Sequence, residues 1–128
     1  MPQFYHYSSF FLRHVFSNLT ALSDLSLASN GLASSPGGLR HALRPLGRSL
    51  RTLDLGGNDL GPELSLPEMP GLTGLRLADN RLESLGAKAF SGSRGLRMLN
   101  LAGNRISGVH QDAFAPLKKL KVSVFKEC

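Results

Sequence analysis

The sequence contains almost no cysteine, no tryptophan and no long apolar run. Cys128 is the single cysteine, so no disulfide can form within the chain and a cysteine-rich zinc site is excluded. No apolar stretch reaches the roughly 18 residues that a membrane-spanning helix needs. Residues 1–18 lack the basic start of a secretory signal, and Arg13 and His14 interrupt their apolar cluster. We therefore expect neither a membrane span nor a signal peptide in this chain.

Motifs of the common catalytic classes are also missing. The sequence has no Gly-x-Ser-x-Gly elbow, no His-Glu-x-x-His helix and no Walker loop. The histidines lie far apart, without the spacing of metal ligands, at His6, His14, His41 and His110. We therefore expect no enzyme activity, no metal and no cofactor.

Leucine, in contrast, recurs at fixed places. The pattern Leu-x-x-Leu-x-Leu-x-x-Asn-x-(Leu/Ile) occurs four times, and the copies begin 28, 22 and 24 residues apart. The copies begin at Leu22, Leu50, Leu72 and Leu96. Each Leu-x-Leu pair alternates with polar residues, as in a short strand with one face in a core. Because the repeats are short, we expect successive turns to stack and their strands to pair in parallel.

One asparagine occupies the same place in every copy. These residues are Asn30, Asn58, Asn80 and Asn104. A buried group left unpaired costs roughly 1 to 3 kcal/mol. The shared frame therefore predicts a ladder, in which each amide bonds to the backbone of neighbouring turns. Four independent turn-forming asparagines are the alternative.

The pattern resembles that of the leucine-rich repeat superfamily over about residues 16–120. In the third and fourth copies an aliphatic residue and a phenylalanine follow the asparagine at the same two distances: Leu85 and Phe90, then Val109 and Phe114. This spacing resembles the "typical" class, found mainly in extracellular proteins such as Toll-like receptors and small leucine-rich proteoglycans. The resemblance implies an α/β solenoid, a right-handed superhelix. Its concave face would carry a short-stranded parallel β-sheet, and its convex side irregular or short helical segments with stacked phenylalanines.

Three segments are expected along the chain. Residues 1–15 form an aromatic-rich segment, interpreted as a cap over the first turn; a partner-docking or membrane-touching patch is the alternative. Residues 16–120 carry the four full copies, and residues 121–128 are either the start of a degenerate repeat or an unrelated tail. Since the frame begins before Leu22 and fades after Leu120, we expect a fragment of a larger receptor-like protein.

The positions between the framework leucines predict the binding surface. Because a strand alternates, these side chains face solvent on the concave sheet. They include Asp24, Ser26, Thr52, Asp54, Arg76, Met98 and Asn100. We expect a non-catalytic module that recognises a protein ligand or receptor partner through this face. Asp54 and Arg76 should lie on neighbouring strands, where their charges can pair.

The cellular context follows from the resemblance and from one tripeptide. The resemblance implies an extracellular protein or the ectodomain of a membrane protein. Asn18-Leu19-Thr20 is an acceptor sequence for N-glycosylation at Asn18, which supports that origin. A cytosolic leucine-rich repeat adaptor is the alternative.

The charge of the chain suggests a second kind of partner. The formal net charge is +6 and the sequence pI is about 10.1. A polyanion such as nucleic acid or a glycosaminoglycan is therefore a second hypothesis, with contacts at Arg40, Arg44, Arg48 and Arg51. No aromatic residues interleave these arginines as a stacking platform would require, which favours a solvated basic surface. Self-association through the open solenoid ends is a further expectation, because an unpaired edge strand can pair with another chain.

Overall fold

The computed structural model describes residues 21–32 and 36–124. The predictions for the aromatic segment, for Asn18 and for Cys128 lie outside the described residues. In chain order the elements are β1 (Asp24–Ser26), α1 (Pro36–Leu43), a 3₁₀ helix (Arg44–Leu46), β2 (Thr52–Asp54), β3 (Gly74–Arg76), β4 (Ser84–Leu85), β5 (Met98–Asn100), β6 (Gly108–Val109) and β7 (Val122–Val124).

The main sheet is parallel and contains one strand from each turn. Its order is β1-β2-β3-β5-β7. The central residues of these strands pair in one row: Leu25, Leu53, Leu75, Leu99 and Ser123. The same framework position therefore returns to the same place in each turn, which confirms the predicted parallel-sheet solenoid. β7 extends the sheet beyond the fourth copy.

The core is built from the framework leucines of successive turns. From the second copy to the fourth, the first three leucines of each pattern are buried at 2% exposure or less. In the first copy, Leu22, Leu25 and Leu27 are partly buried against this core. Burial of a leucine side chain stabilises a fold by roughly 1.5 to 3 kcal/mol. The repeated leucines thus form one continuous apolar column along the solenoid.

The connecting segments form the other side of the solenoid. In the first turn α1 and the 3₁₀ helix direct Leu39, Leu43 and Leu46 into the core. In the third and fourth turns β4 and β6 form a second, two-stranded parallel sheet. Phe90 and Phe114 stack with ring centroids 5.7 Å apart and an interplanar angle of 18°. Stacking of this kind was the expectation from the typical class.

Equivalent positions in the connecting segments are not equally buried. Leu85 of β4 is buried, whereas Val109, its partner in β6, is 44% exposed. Both turns therefore have an aliphatic residue at the position that the spacing predicted, but only Leu85 is fully part of the core.

Candidate functional site

The framework asparagines connect each turn to the turn before it. The Oδ1 atom of Asn58 accepts hydrogen bonds from the backbone N–H groups of Asn30, at 2.8 Å, and of Leu32, at 3.3 Å. Its Nδ2 atom donates to the backbone oxygens of Leu27, at 3.0 Å, and of Leu55, at 2.9 Å. One side chain thus satisfies backbone groups in two turns.

The later turns repeat this arrangement. The Oδ1 atom of Asn80 accepts from the N–H groups of Asn58, at 3.0 Å, and of Leu60, at 2.9 Å. The Nδ2 atom of Asn104 donates to the oxygens of Leu77 and Leu101, both at 2.9 Å. All four framework asparagines are buried. Within the described residues, every buried side-chain nitrogen or oxygen has a hydrogen-bond partner. The backbone groups at the ends of the strands are therefore hydrogen-bonded to the buried asparagine side chains, which join neighbouring turns.

Residues at three equivalent positions line up in rows across the concave sheet. The edge row, immediately before each strand, contains Ser23, Arg51, Thr73, Arg97 and Lys121. The middle row contains Asp24, Thr52, Gly74, Met98 and Val122. The far row contains Ser26, Asp54, Arg76 and Asn100. The structure therefore brings the seven predicted concave residues onto one surface, within the middle and far rows.

The acidic end of the middle row is organised by hydroxyl groups. The Thr52 hydroxyl donates a hydrogen bond to Oδ1 of Asp24. The Ser23 hydroxyl donates to Oδ2 of the same carboxylate at 3.1 Å. The bond from Thr52, followed by that from Ser23, lowers the pKa of Asp24 below its ordinary value of 3.8.

In the far row, two side chains bind their own backbone, and Arg76 has no side-chain partner among the described residues. Oδ1 of Asp54 accepts from the N–H of Gly56 at 2.9 Å, and Oδ1 of Asn100 accepts from the N–H of Ala102 at 3.0 Å. Arg76 faces Asp54 in the strand register. Nevertheless, its exposed guanidinium has neither a hydrogen bond nor an ion pair with any residue that the structure describes.

The predicted pairing of Asp54 with Arg76 is therefore not formed. A backbone hydrogen bond competes for the carboxylate, whereas an exposed ion pair contributes only about 0.2 to 1 kcal/mol. In the described part of the chain, the ion pair that forms is between Arg81 and Asp59, at 3.4 Å on the flank of the solenoid.

Apolar groups line the centre of the middle row. A Cβ atom built on Gly74 would lie 3.6 Å from both the Met98 Cε and the Thr52 Cγ2 atoms. Met98 and Thr52 therefore cover Gly74 from opposite sides, and this glycine is buried although it lies on the open sheet face. Val122 continues the row next to Met98 and is 54% exposed. The alternation of the strand predicted Met98 on this surface, but Val122 was missed because its strand lacks the leucine frame.

The arginines of the polyanion hypothesis are only partly brought together. Arg40, Arg44 and Arg48 line one cavity with Pro67, Glu68 and Pro70. The Arg40 Nη1 atom donates to the Leu66 oxygen at 2.7 Å, so one of these cations already binds the backbone. Arg51 lies in the edge row of the concave sheet and is not part of this cavity. Glu68 adds an acidic group to the same wall.

The described residues contain neither a metal-ligand cluster nor a membrane-spanning helix. No group of three or more His, Cys, Asp or Glu side chains in residues 21–32 and 36–124 could hold a metal ion. In the same two ranges no helix is long and apolar enough to cross a membrane.

Known protein families include one whose sequence profiles match the repeated leucine pattern of this chain. A sequence profile described as "Leucine rich repeat" matches residues 70–122. A second profile with the same description matches residues 48–63. The chain belongs to the leucine-rich repeat superfamily.

Curated relatives of this leucine-rich repeat chain are much longer than it is. Podocan-like protein 1 of Mus musculus is 40% identical over 109 residues, which are 80% of this chain and 18% of that protein. Its Homo sapiens counterpart is 43% identical over 105 residues, 78% of this chain and 19% of that protein. Leucine-rich repeat-containing protein 66 of Rattus norvegicus is 38% identical over 102 residues, 77% of this chain and 11% of that protein. The chain thus spans less than a fifth of the length of these relatives.

A solved structure supports the fold of the leucine-rich repeats. A chain of the Drosophila melanogaster SNF/U2A' complex superimposes with a TM-score of 0.56 at 24% sequence identity. The match covers 80% of this chain and 58% of that chain. At this identity the likeness concerns the solenoid architecture alone.

Proposed function

We propose that this leucine-rich repeat chain is a non-catalytic protein-interaction module, and that its concave sheet face recognises a protein ligand or partner. One observation carries the proposal. The framework leucines and asparagines are committed to the core and to hydrogen bonds between turns, whereas the side chains between them form one exposed surface. The middle and far rows, which include Asp24, Ser26, Thr52, Asp54, Arg76, Met98 and Asn100, are the proposed contacts.

A steric test separates the concave face from the rest of the solenoid. Arg76→Trp places a bulky side chain at an exposed concave position, and Lys88→Trp does the same at an exposed position outside the concave sheet. An array of purified extracellular domains would be screened for binding to the unmodified chain, and each hit would be retested with both variants. We expect Arg76→Trp to abolish binding and Lys88→Trp to preserve it. Equal binding by both variants would contradict the proposal.

We further propose that the chain is part of an extracellular receptor-like protein with repeats of the typical class. The spacing of Leu85 and Phe90, repeated by Val109 and Phe114, supports this class, and the acceptor tripeptide at Asn18 supports the compartment. A cytosolic adaptor is the competing context.

Expression of the chain behind a signal peptide tests the extracellular context. We expect a glycan on Asn18, detected as a mobility shift that glycosidase treatment and Asn18→Gln both remove. Complete absence of a glycan would remove the site-level support for the extracellular context and favour the cytosolic adaptor.

Polyanion binding is a second candidate function, supported by the arginines that share one cavity. Arg44 and Arg48 line it with Arg40, whose guanidinium already binds the Leu66 oxygen. If these arginines bind a polyanion, affinity for heparin or single-stranded nucleic acid should fall steeply with salt, because counterions are released on binding. Arg44→Ala together with Arg48→Ala should lower the salt dependence as well as the affinity. Binding that is independent of salt, or undetectable binding, would exclude this candidate.

A further inference from the structure

We propose that the C-terminal half of the concave face binds an acidic protein segment that carries an apolar side chain. The proposed surface, here called the basic-apolar patch, consists of Arg76, Arg97, Met98, Lys121 and Val122. This inference rests on the proposed function, because it names the partner chemistry and the part of the concave face that recognises it.

The cations of the patch lie on, or immediately before, neighbouring strands. The backbone N–H of Lys121 donates to the Arg97 oxygen at 2.8 Å, which places the two residues side by side in the edge row. Neighbouring strands are about 4.8 Å apart, so these two long side chains can reach the same carboxylate or two successive ones. Arg76 lies across the middle row from Arg97, in the far row of β3. Cations therefore flank the middle row on both sides.

These three cations are free to bind a partner. Arg76, Arg97 and Lys121 are exposed, and no hydrogen bond or ion pair joins their side chains to any residue of ranges 21–32 and 36–124. They therefore present charge that the described part of the chain does not neutralise by direct contact.

Unlike these cations, the two carboxylates of the concave face lie in the first two strands and already accept hydrogen bonds. Asp24 lies in β1 and Asp54 in β2, away from the last two strands of the sheet. Both carboxylates already accept hydrogen bonds, Asp24 from Thr52 and Ser23, and Asp54 from the Gly56 N–H. In the first two turns the three rows contain these two carboxylates and one cation, Arg51, whereas in the later turns they contain cations and no carboxylate. Carboxylates are therefore the groups that complement the later turns.

An apolar surface separates the two sides of basic charge. Met98 is partly exposed and is the register partner of Val122, which is 54% exposed. Protein interfaces combine an apolar centre with a polar rim in which arginine is enriched. A partner segment with a leucine- or phenylalanine-like side chain between acidic residues would bury the apolar centre and neutralise the cations. The exposed apolar centre favours a peptide over a polysaccharide or a nucleic acid, as does the fact that none of the five residues of the patch is aromatic.

The test uses a random dodecapeptide library displayed on phage, selected against the complete chain. We expect enriched peptides to contain Asp or Glu beside Leu, Ile or Phe. The affinity of the best synthetic peptide would be measured by fluorescence polarisation. Arg97→Glu with Lys121→Glu should weaken it by about 100-fold, if each reversal costs about a factor of ten. The milder pair, Arg97→Gln with Lys121→Gln, should weaken it by about tenfold.

A matched control changes the net charge equally on surfaces outside the concave sheet. Lys88 and Arg105 are exposed and lie outside the main sheet. Lys88→Glu with Arg105→Glu should leave the affinity within about twofold of the unmodified chain. Thermal unfolding of all variants would verify that the reversed pair is folded; if that pair does not fold, the glutamine pair decides the result.

Each alternative result identifies which proposal fails. If the selected peptides lack acidic residues, or lose binding only when Asp24 and Thr52 are replaced, the acidic-partner proposal is overturned while concave recognition stands. If binding is insensitive to every concave substitution but is lost in the Lys88 and Arg105 control, both proposals fail. Binding of heparin, but of no acidic peptide, through Arg97 and Lys121 would overturn the partner class.

Discussion

Single asparagine side chains connect the strands of neighbouring turns. Asn80 illustrates this, because its amide bonds to the backbone of its own turn and of the preceding turn. The side chain replaces hydrogen bonds that water would otherwise supply to buried backbone groups. A leucine has a similar volume and suits an apolar surrounding, but it can satisfy none of these groups.

Asn80→Leu should therefore be strongly destabilising. It leaves the N–H groups of Asn58 and Leu60 without their acceptor, and each buried unpaired group costs about 1 to 3 kcal/mol. We expect the free energy of unfolding to fall by about 3 to 5 kcal/mol, measured by urea denaturation with circular dichroism.

Asn100→Ala is the matched control for this change. Asn100 lies on the open face and satisfies a single backbone N–H, that of Ala102, at a partly exposed position. We expect a loss of about 1 kcal/mol or less. Equal effects of the two substitutions would show that the buried asparagines do not act through the backbone bonds.

The acidic end of the concave face should respond to pH in a defined direction. Thr52 and Ser23 stabilise the ionised form of Asp24 and lower its pKa in the folded state. The stabilising effect is therefore present above the ordinary pKa and is lost as the pH falls through the lowered folded value. Thr52→Val removes the larger cause, so the pKa of Asp24 should rise. A carboxyl NMR titration of the two proteins would measure this, and an unchanged pKa would contradict the role of Thr52.

The placement of side chains on the concave face was predictable, but their partners were not. Alternation along a strand fixes which residues face outward, and it correctly set Asp54 and Arg76 side by side. Strand alternation does not say which donor the Asp54 carboxylate binds. In the structure this carboxylate accepts a hydrogen bond from the Gly56 N–H and forms no ion pair with Arg76. Which donor it binds depends on the backbone conformation after the strand, which the leucine pattern does not specify.

At the scale of elements, the connections differ more than the strands do. The strands keep one register because the leucines on either side are buried in the same column. The connections vary from α1 with its 3₁₀ extension, through an extended segment, to the β4–β6 sheet. The resemblance implied irregular or short helical segments on the convex side, but β4 and β6 are too short for a period of two to be recognised in the sequence.

A close approach between the first two connections predicts an asymmetry between two glycines. A Cβ atom on Gly47 would lie 2.3 Å from the Glu68 backbone oxygen, whereas one on Gly74 would meet only side-chain carbons at 3.6 Å or more. Gly47→Ala should therefore force the connections apart and cost about 1 to 3 kcal/mol. Gly74→Ala should be neutral or stabilise by up to about 1 kcal/mol, because it reduces the freedom of the unfolded chain.

Thermal and urea unfolding of the two alanine variants would check this asymmetry. Both sites receive the same substitution, so the sign of the difference between their changes in the free energy of unfolding is the decisive quantity. A greater loss of stability at Gly74 than at Gly47 would contradict the described packing of the first two connections.

At the scale of the whole molecule, the charge changes along the concave face. In the three rows, the later turns contain Arg76, Arg97 and Lys121 and no carboxylate, whereas the first two turns contain the two hydrogen-bonded acids together with Arg51. The composition predicted a basic chain but not this arrangement, because the edge row draws Arg51, Arg97 and Lys121 from distant parts of the sequence. The solenoid also separated Arg51 from Arg40, Arg44 and Arg48, although all four lie close together in the sequence.

The last strand marks the limit of sequence prediction in this solenoid. Ser123 occupies the place of a framework leucine, yet Val122–Val124 pairs with β5 in the register of the earlier strands. Backbone hydrogen bonds to β5, the neighbouring strand, do not depend on a leucine side chain in the last strand. The interpretation of residues 121–128 as a degenerate repeat stays a prediction, to which this strand gives support.

The central claim is that the concave sheet recognises a protein through its basic later turns, and mapping the bound peptide tests it most directly. The isotopically labelled chain would be titrated with the best acidic peptide, and backbone amide chemical shifts would be followed by NMR. We predict the largest changes in Gly74–Arg76, Met98–Asn100 and Val122–Val124, with little change in Pro36–Leu43. Changes concentrated in Pro36–Leu43 or around Lys88, with the three strands unaffected, would contradict the account.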